Sequence, residues 1–224
     1  MKLNERSSME YVSSILAATL FFIFSPATQA AQLETAIFAG GCFWCVESDF
    51  ESIDGVTDAV SGYIGGSAET AVYKKVGKGG TGHYESVKIT YDPSVISYAE
   101  MIDVLWRSID ATDAGGQFCD RGDSYRSAIF AMNDRQYEIA QKSKSDLDAS
   151  GRLPTPVATE IIKVGKFYPA EEYHQDYNTK SDLIISRYGP ITKKKAYKRY
   201  RKACGRDARV IQLWGDDAFV IKGE

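Results

Sequence analysis

Histidine and cysteine are scarce in this sequence, with two and four residues respectively in a chain of 224. Four cysteines are too few for a scaffold held together by disulfides, and a core of this length needs no such links. The single C-x-x-C motif, Cys42 to Cys45, has only His83 and His174 to complete a tetrahedral site. Because a second ligand pair is missing, a zinc site is disfavoured.

Strong net charge and internal repetition are also absent. The formal charge is −3, which does not indicate a nucleic-acid-binding protein. Basic residues concentrate between Lys193 and Arg209, where we expect a solvated helix face. With 44% hydrophobic and 25% charged residues and no long low-complexity linker, the composition indicates one globular domain.

One long apolar run is present, from Val12 to Phe24, and it is shorter than a membrane-spanning helix requires. Basic residues precede it and small residues lead to Ala30, which is the layout of a secretory signal peptide. We therefore expect a signal peptide at 1–30 and a mature domain at 31–224 that ends in a basic helix and tail. The protein would be exported to the periplasm without stable membrane association after cleavage; an uncleaved membrane anchor is the alternative.

Strand and helix patterns are mixed along the mature chain. Alternation and β-branched runs predict strands at 35–39, 56–63, 84–91, 125–132 and 159–164. Helical spacing predicts helices after residues 42, 97 and 134, around 173–177, and from 193 to 204. We predict an α+β fold of the two-layer α/β kind, in which a mixed β-sheet packs with helices in a single domain.

Cys42 has the local sequence of a reactive thiol. Gly40 and Gly41 separate a strand from a helix, so Cys42 would lie in the first helical turn. Unpaired backbone N–H groups and the helix macrodipole favour an anion there, which predicts a nucleophilic thiolate with a lowered pKa. Cys45, three residues later on the same helix, is placed to trap an oxidised Cys42. The alternative is that Cys42 is a small buried hydrophobic residue.

Glu85 shares one face of the strand at 84–91 with apolar and aromatic residues. Desolvation on that face raises the pKa of a carboxyl group and would make Glu85 a proton donor near neutral pH. The alternative is a buried glutamate in an ion pair with Arg107, Arg126 or another basic residue.

Six short motifs follow one another between residues 35 and 180. They are GCFWCVE at 41–47, VSGYIGG at 60–66, Tyr73 before Val76, TGHYE at 81–85, YRSAIF at 125–130 and AEEYHQDY at 170–177. In this order they resemble the A-type peptide-methionine sulfoxide reductases. The resemblance implies thiol-dependent reduction of methionine (S)-sulfoxide, free or peptide-bound, for protein repair after oxidative damage, with no metal or organic cofactor.

The resemblance also implies roles for individual residues. The catalytic set would be Cys42 as the attacking thiol, Glu85 as the acid, Tyr73 and Tyr125 as hydroxyls that hold the sulfoxide oxygen, and Asp120 in the polar network. Phe43 and Trp44 would form the apolar pocket for the S-methyl group. The alternatives are packing roles for the tyrosines and a turn role for Asp120.

A Cys42 sulfenic acid would next condense with a second thiol, and a thioredoxin-like reductant would open the disulfide. Two departures from the family pattern leave the resolving thiol open: Cys45 replaces a frequent glycine and Cys119 a frequent asparagine. We favour Cys204, as a thiol on a mobile tail among basic residues, over Cys45. The role of Cys119 stays open.

Two other functions fit the cysteines. A thioredoxin-like disulfide oxidoreductase would depend on Cys45 and be indifferent to Glu85. An exported binding module would contain Cys42–Cys45 and Cys119–Cys204 as structural disulfides.

Overall fold

A computed structural model of the protein describes residues 32–163, 165–186 and 189–221. The predicted signal peptide lies outside the described residues. Within them, no helix combines the length and the apolar character needed to cross a membrane. The strands are β1 Glu34–Gly40, β2 Val56–Ile64, β3 Tyr84–Tyr91, β4 Gly116–Gln117, β5 Asp120–Arg121, β6 Ser127–Ala131, β7 Glu160–Lys163, β8 Tyr168–Pro169, β9 Leu183–Ser186 and β10 Gly189–Thr192.

The main sheet contains six strands in the order β7-β6-β1-β3-β2-β8. Neighbouring strands are antiparallel, except that β6 and β7 are parallel. The pairs β4-β5 and β9-β10 form two small antiparallel ribbons. The predicted single domain with a mixed sheet and packed helices is therefore confirmed. Strand β1, which leads into Cys42, lies in the interior of the sheet between β3 and β6.

The helices begin and end largely where local signals predict. They are α1 Phe43–Glu51, α2 Tyr73–Val76, α3 Tyr98–Ser108, α4 Asp134–Ala149, α5 Lys193–Cys204 and α6 Arg206–Trp214. At the start of α3, the Ser97 hydroxyl accepts a bond from the Glu100 N–H, and the Glu100 carboxylate accepts one from the Ser97 N–H. Such a reciprocal cap satisfies two otherwise unpaired donors.

Both faces of β1 are buried. Phe38 belongs to the main core with Met101 and Leu105 of α3. Ile37, which points to the opposite face, belongs to a second cluster with Phe130. Apolar burial contributes about 25 cal/mol per Å², so packing on both faces stabilises β1 and fixes the end of the strand that leads to Cys42.

The predicted helix around 173–177 is not formed. That region contains only a short 3-10 turn, Glu172–His174. Asp176 has a φ of 50°, and its N–H donates to the side chain of Glu47. A non-glycine residue in the left-handed region interrupts a helix. The backbone N–H of Asp176 bonds to the buried Glu47 carboxylate and not to a helical carbonyl.

The expectation of a solvated basic face in the C-terminal region is wrong for two of its arginines. Arg201 and Arg206 are each only 2% exposed. Both pair with Asp49 of α1, at N–O distances of 2.7 Å and 3.3 Å, and Arg206 also donates to the Gly40 carbonyl at 3.0 Å. Cys204, expected on a tail, instead lies at the end of α5, and α6 follows it and buries Trp214. Buried carboxylate and carbonyl groups draw these arginines inward.

Candidate active site

Cys42 is positioned by a glycine turn at the end of β1. Gly41 has a φ of 86°, and a Cβ atom there would lie 2.6 Å from Cβ of Gln117, so only glycine fits. Cys42 is the N-cap residue of α1, and its carbonyl accepts the Cys45 N–H at 3.0 Å. Cys42 is buried, with 7% of the residue exposed.

Glu85 lies at the same helix start. Its Oε2 accepts the backbone N–H of Phe43 at 3.1 Å, and the residue is only 2% exposed. Burial raises the pKa of Glu85 to about 8, although the bond from Phe43 opposes the rise. Glu85 is therefore protonated near neutral pH and can donate a proton beside Cys42.

The alternative ion pairs of Glu85 are not formed. Arg107 pairs with Asp103, and Arg126 pairs with Glu160. Neither guanidinium is thus available to hold Glu85 in its charged form.

One small cavity of about 70 Å³ unites the residues singled out in the sequence. It is lined by Cys42, Phe43, Trp44, Tyr73, Glu85, Asp120, Tyr125 and Tyr200. A larger groove of about 830 Å³ lies elsewhere, against Trp106, Leu147 and Trp214, and no cysteine lines it. Because the thiol of Cys42 and the carboxyl group of Glu85 both line the smaller cavity, we take it as the candidate active site.

Tyr73, Tyr125 and Asp120 form the polar part of this cavity. Burial raises the pKa of both tyrosines, so their hydroxyls stay neutral donors. Tyr125 ends a 3-10 turn rather than starting a strand as predicted. Burial also raises the pKa of Asp120, whose carboxylate accepts the Tyr200 hydroxyl.

Trp44 is fixed on two sides. Its indole N–H donates to Nδ1 of His174 at 3.1 Å, and its ring stacks on Tyr177 with centroids 3.8 Å apart. Burial lowers the pKa of His174 to about 4, so the imidazole is neutral and its Nδ1 can accept this bond. The aromatic wall is therefore held in one orientation.

The two free thiols depart from expectation. Burial raises the pKa of Cys42 well above its ordinary value, as do Cys45, Glu85 and Asp120. The pKa of Cys45 is lowered, chiefly by its interaction with the Cys42 thiol and further by the charges of Arg206 and Arg201, although burial opposes this lowering. The prediction of a lowered Cys42 pKa is thus wrong for the resting protein.

The local reason lies in the first helical turn. The Phe43 N–H, which was expected to favour a Cys42 thiolate, donates to Glu85 instead. Helix α1 begins without a side-chain cap bond from Cys42. The Phe43 N–H at the helix start therefore stabilises the Glu85 carboxyl group and not the Cys42 sulfur.

The other two cysteines form a disulfide. Cys119 and Cys204 are bonded across 85 residues, whereas Cys42 and Cys45 are free. Sγ of Cys204 lies 3.8 Å from Oδ2 of Asp120, which lines the cavity. The predicted resolving residue Cys204 thus lies beside the site. Of the two disulfides in the binding-module alternative, Cys119–Cys204 is formed and Cys42–Cys45 is not.

Among the residues that the structure describes, two groups of side chains meet the spacing of a metal site, and the bonding of neither group favours a metal ion. The sulfurs of Cys119 and Cys204, near Asp120, are joined to each other. Glu47 and Glu51 form the second group with Asp176, but Glu47 accepts bonds from Ser61 and Asp176, and Glu51 accepts one from Asn178.

The sequence pattern did not predict site roles for Tyr200, His174 and the two buried arginines. A signal was present in α5, because Tyr197, Tyr200, Arg201 and Cys204 follow at i, i+3, i+4 and i+7 and so share one helix face. His174 had no comparable periodic signal.

Comparison with known proteins agrees with this geometry. A family model described as peptide methionine sulfoxide reductase matches residues 34–207. The peptide methionine sulfoxide reductase MsrA of Listeria welshimeri is 49% identical over 182 residues, 81% of this chain and 96% of that protein.

Solved structures give the same result. The reduced form of Mxr1 from Saccharomyces cerevisiae has a TM-score of 0.61 at 32% identity, covering 65% of this chain and 83% of that one. Methionine sulfoxide reductase A of Corynebacterium diphtheriae has a TM-score of 0.58 at 30% identity, covering 67% and 75%. The chain belongs to the peptide methionine sulfoxide reductase family.

Proposed function

We propose that this protein reduces the S epimer of methionine sulfoxide to methionine, using Cys42 as nucleophile and Glu85 as acid. The observation that carries the proposal is the shared cavity, in which a free thiol and a buried, protonated carboxyl group meet at one helix start. Sulfoxide reduction needs both groups, because sulfur is attacked while its oxygen takes up a proton.

The chemical step transfers two electrons from the Cys42 sulfur to the sulfoxide sulfur. The Cys42 thiolate attacks the sulfoxide sulfur and forms a sulfur–sulfur bond. The S–O bond of the substrate and this sulfur–sulfur bond then break as the oxygen forms a bond to the Cys42 sulfur, which gives the sulfenic acid. Glu85 supplies the proton on that oxygen and becomes a carboxylate. Methionine leaves as the neutral thioether.

Charge builds on the oxygen as the S–O bond weakens, and neutral donors aimed at that position lower the barrier. The hydroxyls of Tyr73 and Tyr125 fill this role, with Asp120 and Tyr200 completing the polar network. Phe43 and Trp44 provide the apolar wall for the S-methyl group. Tight orientation of Trp44 by His174 supports this arrangement.

Cys204 resolves the sulfenic acid in our proposal. Its thiol forms a disulfide with Cys42 and releases water; Cys119 then attacks Cys204, restores the Cys42 thiol and leaves the Cys119–Cys204 disulfide. The position of Cys204 beside Asp120 supports this order. Cys45 is the alternative resolving thiol, buried next to Cys42.

A dithiol reductant of the thioredoxin type then opens the Cys119–Cys204 bond. Cys119 is exposed, so a protein thiol can reach it. Free and peptide-bound sulfoxide are both proposed substrates, and repair of oxidised protein is the proposed role.

Export to the periplasm is proposed from the signal-peptide layout of residues 1–30. Sequencing the N-terminus of protein recovered from a periplasmic fraction should give Ala31 as the first residue. A start at Met1 in a membrane fraction would support the uncleaved anchor instead.

The central test is reduction of an (S)-methionine sulfoxide peptide with dithiothreitol. Cys42→Ser should lose activity nearly completely, and Glu85→Gln should lose about 10²- to 10⁴-fold, because it keeps the shape but not the proton. Glu172→Gln, at an exposed glutamate paired with Lys180, is the matched control and should retain activity. Full activity in Cys42→Ser would refute the proposal.

The rival thioredoxin-like function is separated by the same variants. It requires Cys45 for disulfide reduction and should not respond to Glu85→Gln. For the resolving step, Cys119→Ser should accumulate a Cys42–Cys204 disulfide after one turnover, identified by peptide mass spectrometry. A Cys42–Cys45 disulfide in that experiment would assign resolution to Cys45.

A further inference from the structure

Asp120 borders both the active-site cavity and the Cys119–Cys204 disulfide. Its side chain lines the cavity together with Cys42. Its Oδ2 lies 3.8 Å from Sγ of Cys204, and its Oδ1 lies 3.9 Å from Sγ of Cys119. One carboxyl group therefore contacts both sulfurs of the disulfide and also lines the space in which Cys42 reacts.

Two links to α5 hold Asp120 in this position. The Tyr200 hydroxyl donates to its carboxylate. Cys204, one helical turn beyond Tyr200, is bonded to Cys119, the chain neighbour of Asp120. Residues four apart share one helix face, so a single face of α5 carries both links. Burial raises the pKa of Asp120, and its carboxyl group therefore takes up a proton more readily than an exposed aspartate.

The resolving step needs proton transfers for which Glu85 is poorly prepared. Glu85 gives its proton to the oxygen during sulfoxide reduction and enters the next step as a carboxylate. The Cys204 thiol must then lose a proton, because the thiolate is the nucleophile. The oxygen of the Cys42 sulfenic acid must gain a proton to leave as water. A group that contacts the Cys204 sulfur and lines the cavity can perform both transfers.

We propose that Asp120 is the acid–base residue of the disulfide steps, whereas Glu85 serves the reduction of the sulfoxide. The Asp120 carboxylate takes the proton of the Cys204 thiol, whose sulfur attacks the sulfur of the Cys42 sulfenic acid and breaks its S–O bond. The proton passes from Asp120 to the leaving oxygen, which departs as water. The Cys119 thiol then loses its proton to Asp120 and attacks the Cys204 sulfur. The Cys42 sulfur leaves and takes up that proton.

Opening of the disulfide uses the same group in reverse. Cys119 is exposed and Cys204 is half-buried, so the thiolate of the reductant attacks Sγ of Cys119 and Sγ of Cys204 leaves with the bonding electrons. The Cys119 backbone N–H donates to Sγ of Cys204 at 3.1 Å, and such a donor stabilises a developing thiolate. The Asp120 carboxyl group then gives its proton to this sulfur.

The first test follows the opening of the Cys119–Cys204 bond by dithiothreitol, with no sulfoxide present. Rates are expressed per dithiothreitol thiolate between about pH 5 and pH 8, which removes the ionisation of the reductant. The parent rate should fall as the pH rises, because Asp120 loses its proton. Asp120→Asn should be about tenfold or more slower at the low end and approach the parent at the high end.

Two further variants make this test specific. Tyr200→Phe removes a bond that stabilises the Asp120 carboxylate, so the fall in rate should move to higher pH. Asp113→Asn is the matched control, because Asp113 lies in the same segment between α3 and β6 but pairs with Arg121, and it should follow the parent. An unchanged Asp120→Asn profile, slowing by one factor at every pH, or no upward shift in Tyr200→Phe would overturn the proposal.

A second test addresses the resolving step, which rests on the proposed function. Protein that has been reduced and freed of reductant reacts with an (S)-methionine sulfoxide peptide in the presence of dimedone, which traps sulfenic acids. The Cys42 adduct is counted per methionine formed, so a slower first step does not affect the ratio. Asp120→Asn should give several-fold more adduct than the parent, and equal ratios would contradict the proposal.

The two tests separate the two proposals. If the parent formed no methionine, the proposed function would fail, while the disulfide-opening profiles would still decide the role of Asp120. Circular dichroism confirms folding of each variant. If Asp120→Asn does not fold, the Tyr200→Phe profile decides alone.

Discussion

Glu85 must be protonated for each turnover to proceed. Burial keeps the proton on its carboxyl group, and the reaction consumes that proton. Its pKa of about 8 implies that single-turnover methionine formation should fall as the pH rises through about 8, where the carboxyl group ionises. Glu85→Gln should be slow but lack this falling limb. A falling limb that persists in Glu85→Gln would assign it to another group.

Glu47 is a second buried carboxyl group, with its pKa raised to about 7 by burial. Its unfolded value is about 4.5. The folded state therefore binds the proton more tightly, and the stability it contributes is present below pH 4.5 and is lost as the pH rises to about 7.

Glu47→Gln mimics the protonated form and should remove this loss. Between about pH 4.5 and pH 7, the parent should lose about 3 kcal/mol of unfolding free energy that the variant keeps. Urea unfolding at several pH values measures the difference. If the unfolding free energies of the parent and the variant changed with pH in parallel, Glu47 would be charged in the folded state over this range.

At the scale of elements, the turn between β1 and α1 tolerates no side chain at Gly41. Gly41→Ala should destabilise the protein by about 2–4 kcal/mol, from left-handed strain plus collision with Gln117. Gly151→Ala is the matched control, because its φ of 63° is similar but nothing lies within 4 Å. If both variants lost the same stability, crowding by Gln117 would be unimportant.

Helix α1 is joined to α5 and α6 through Asp49. Asp49→Asn keeps the volume but leaves Arg201 and Arg206 without their buried counter-charge, and we expect a loss of about 3–5 kcal/mol in chemical denaturation. Asp103→Asn removes an exposed partner of Arg107 and should change stability by less than about 1 kcal/mol. A small effect at Asp49 would mean that water or another group replaces the carboxylate.

The elements also show what a linear pattern can reveal. Strand β3 and helix α3 were predictable because alternation and the Ser97 cap are local signals. The site residues from Cys42 to Tyr125 were accessible through motif resemblance. The burial of the Arg201 and Arg206 side chains was not predictable from the sequence. It depends on Asp49, more than 150 residues away in the chain, and a basic run ordinarily faces solvent.

At the scale of the whole molecule, the Cys119–Cys204 bond ties the segment next to Asp120, which lines the cavity, to the C-terminal end of α5. It closes a loop of 85 residues, so reducing it should lower the unfolding free energy by up to about 4 kcal/mol. Urea unfolding with and without reductant measures this loss. Cys119→Ser should be insensitive to reductant; a parent equally insensitive would mean that the bond adds no constraint.

Two distant parts of the chain contribute to one site, and they are held in the fold in different ways. Cys42 stands at the end of an interior strand, whereas Tyr200 and Cys204 arrive on a helix that docks from the C-terminal side. A molecule whose C-terminal helices detached would keep its nucleophile but lose the means to regenerate it. Such damage would leave a single-use reagent in place of a catalyst, and assays limited to the first turnover would not detect the fault.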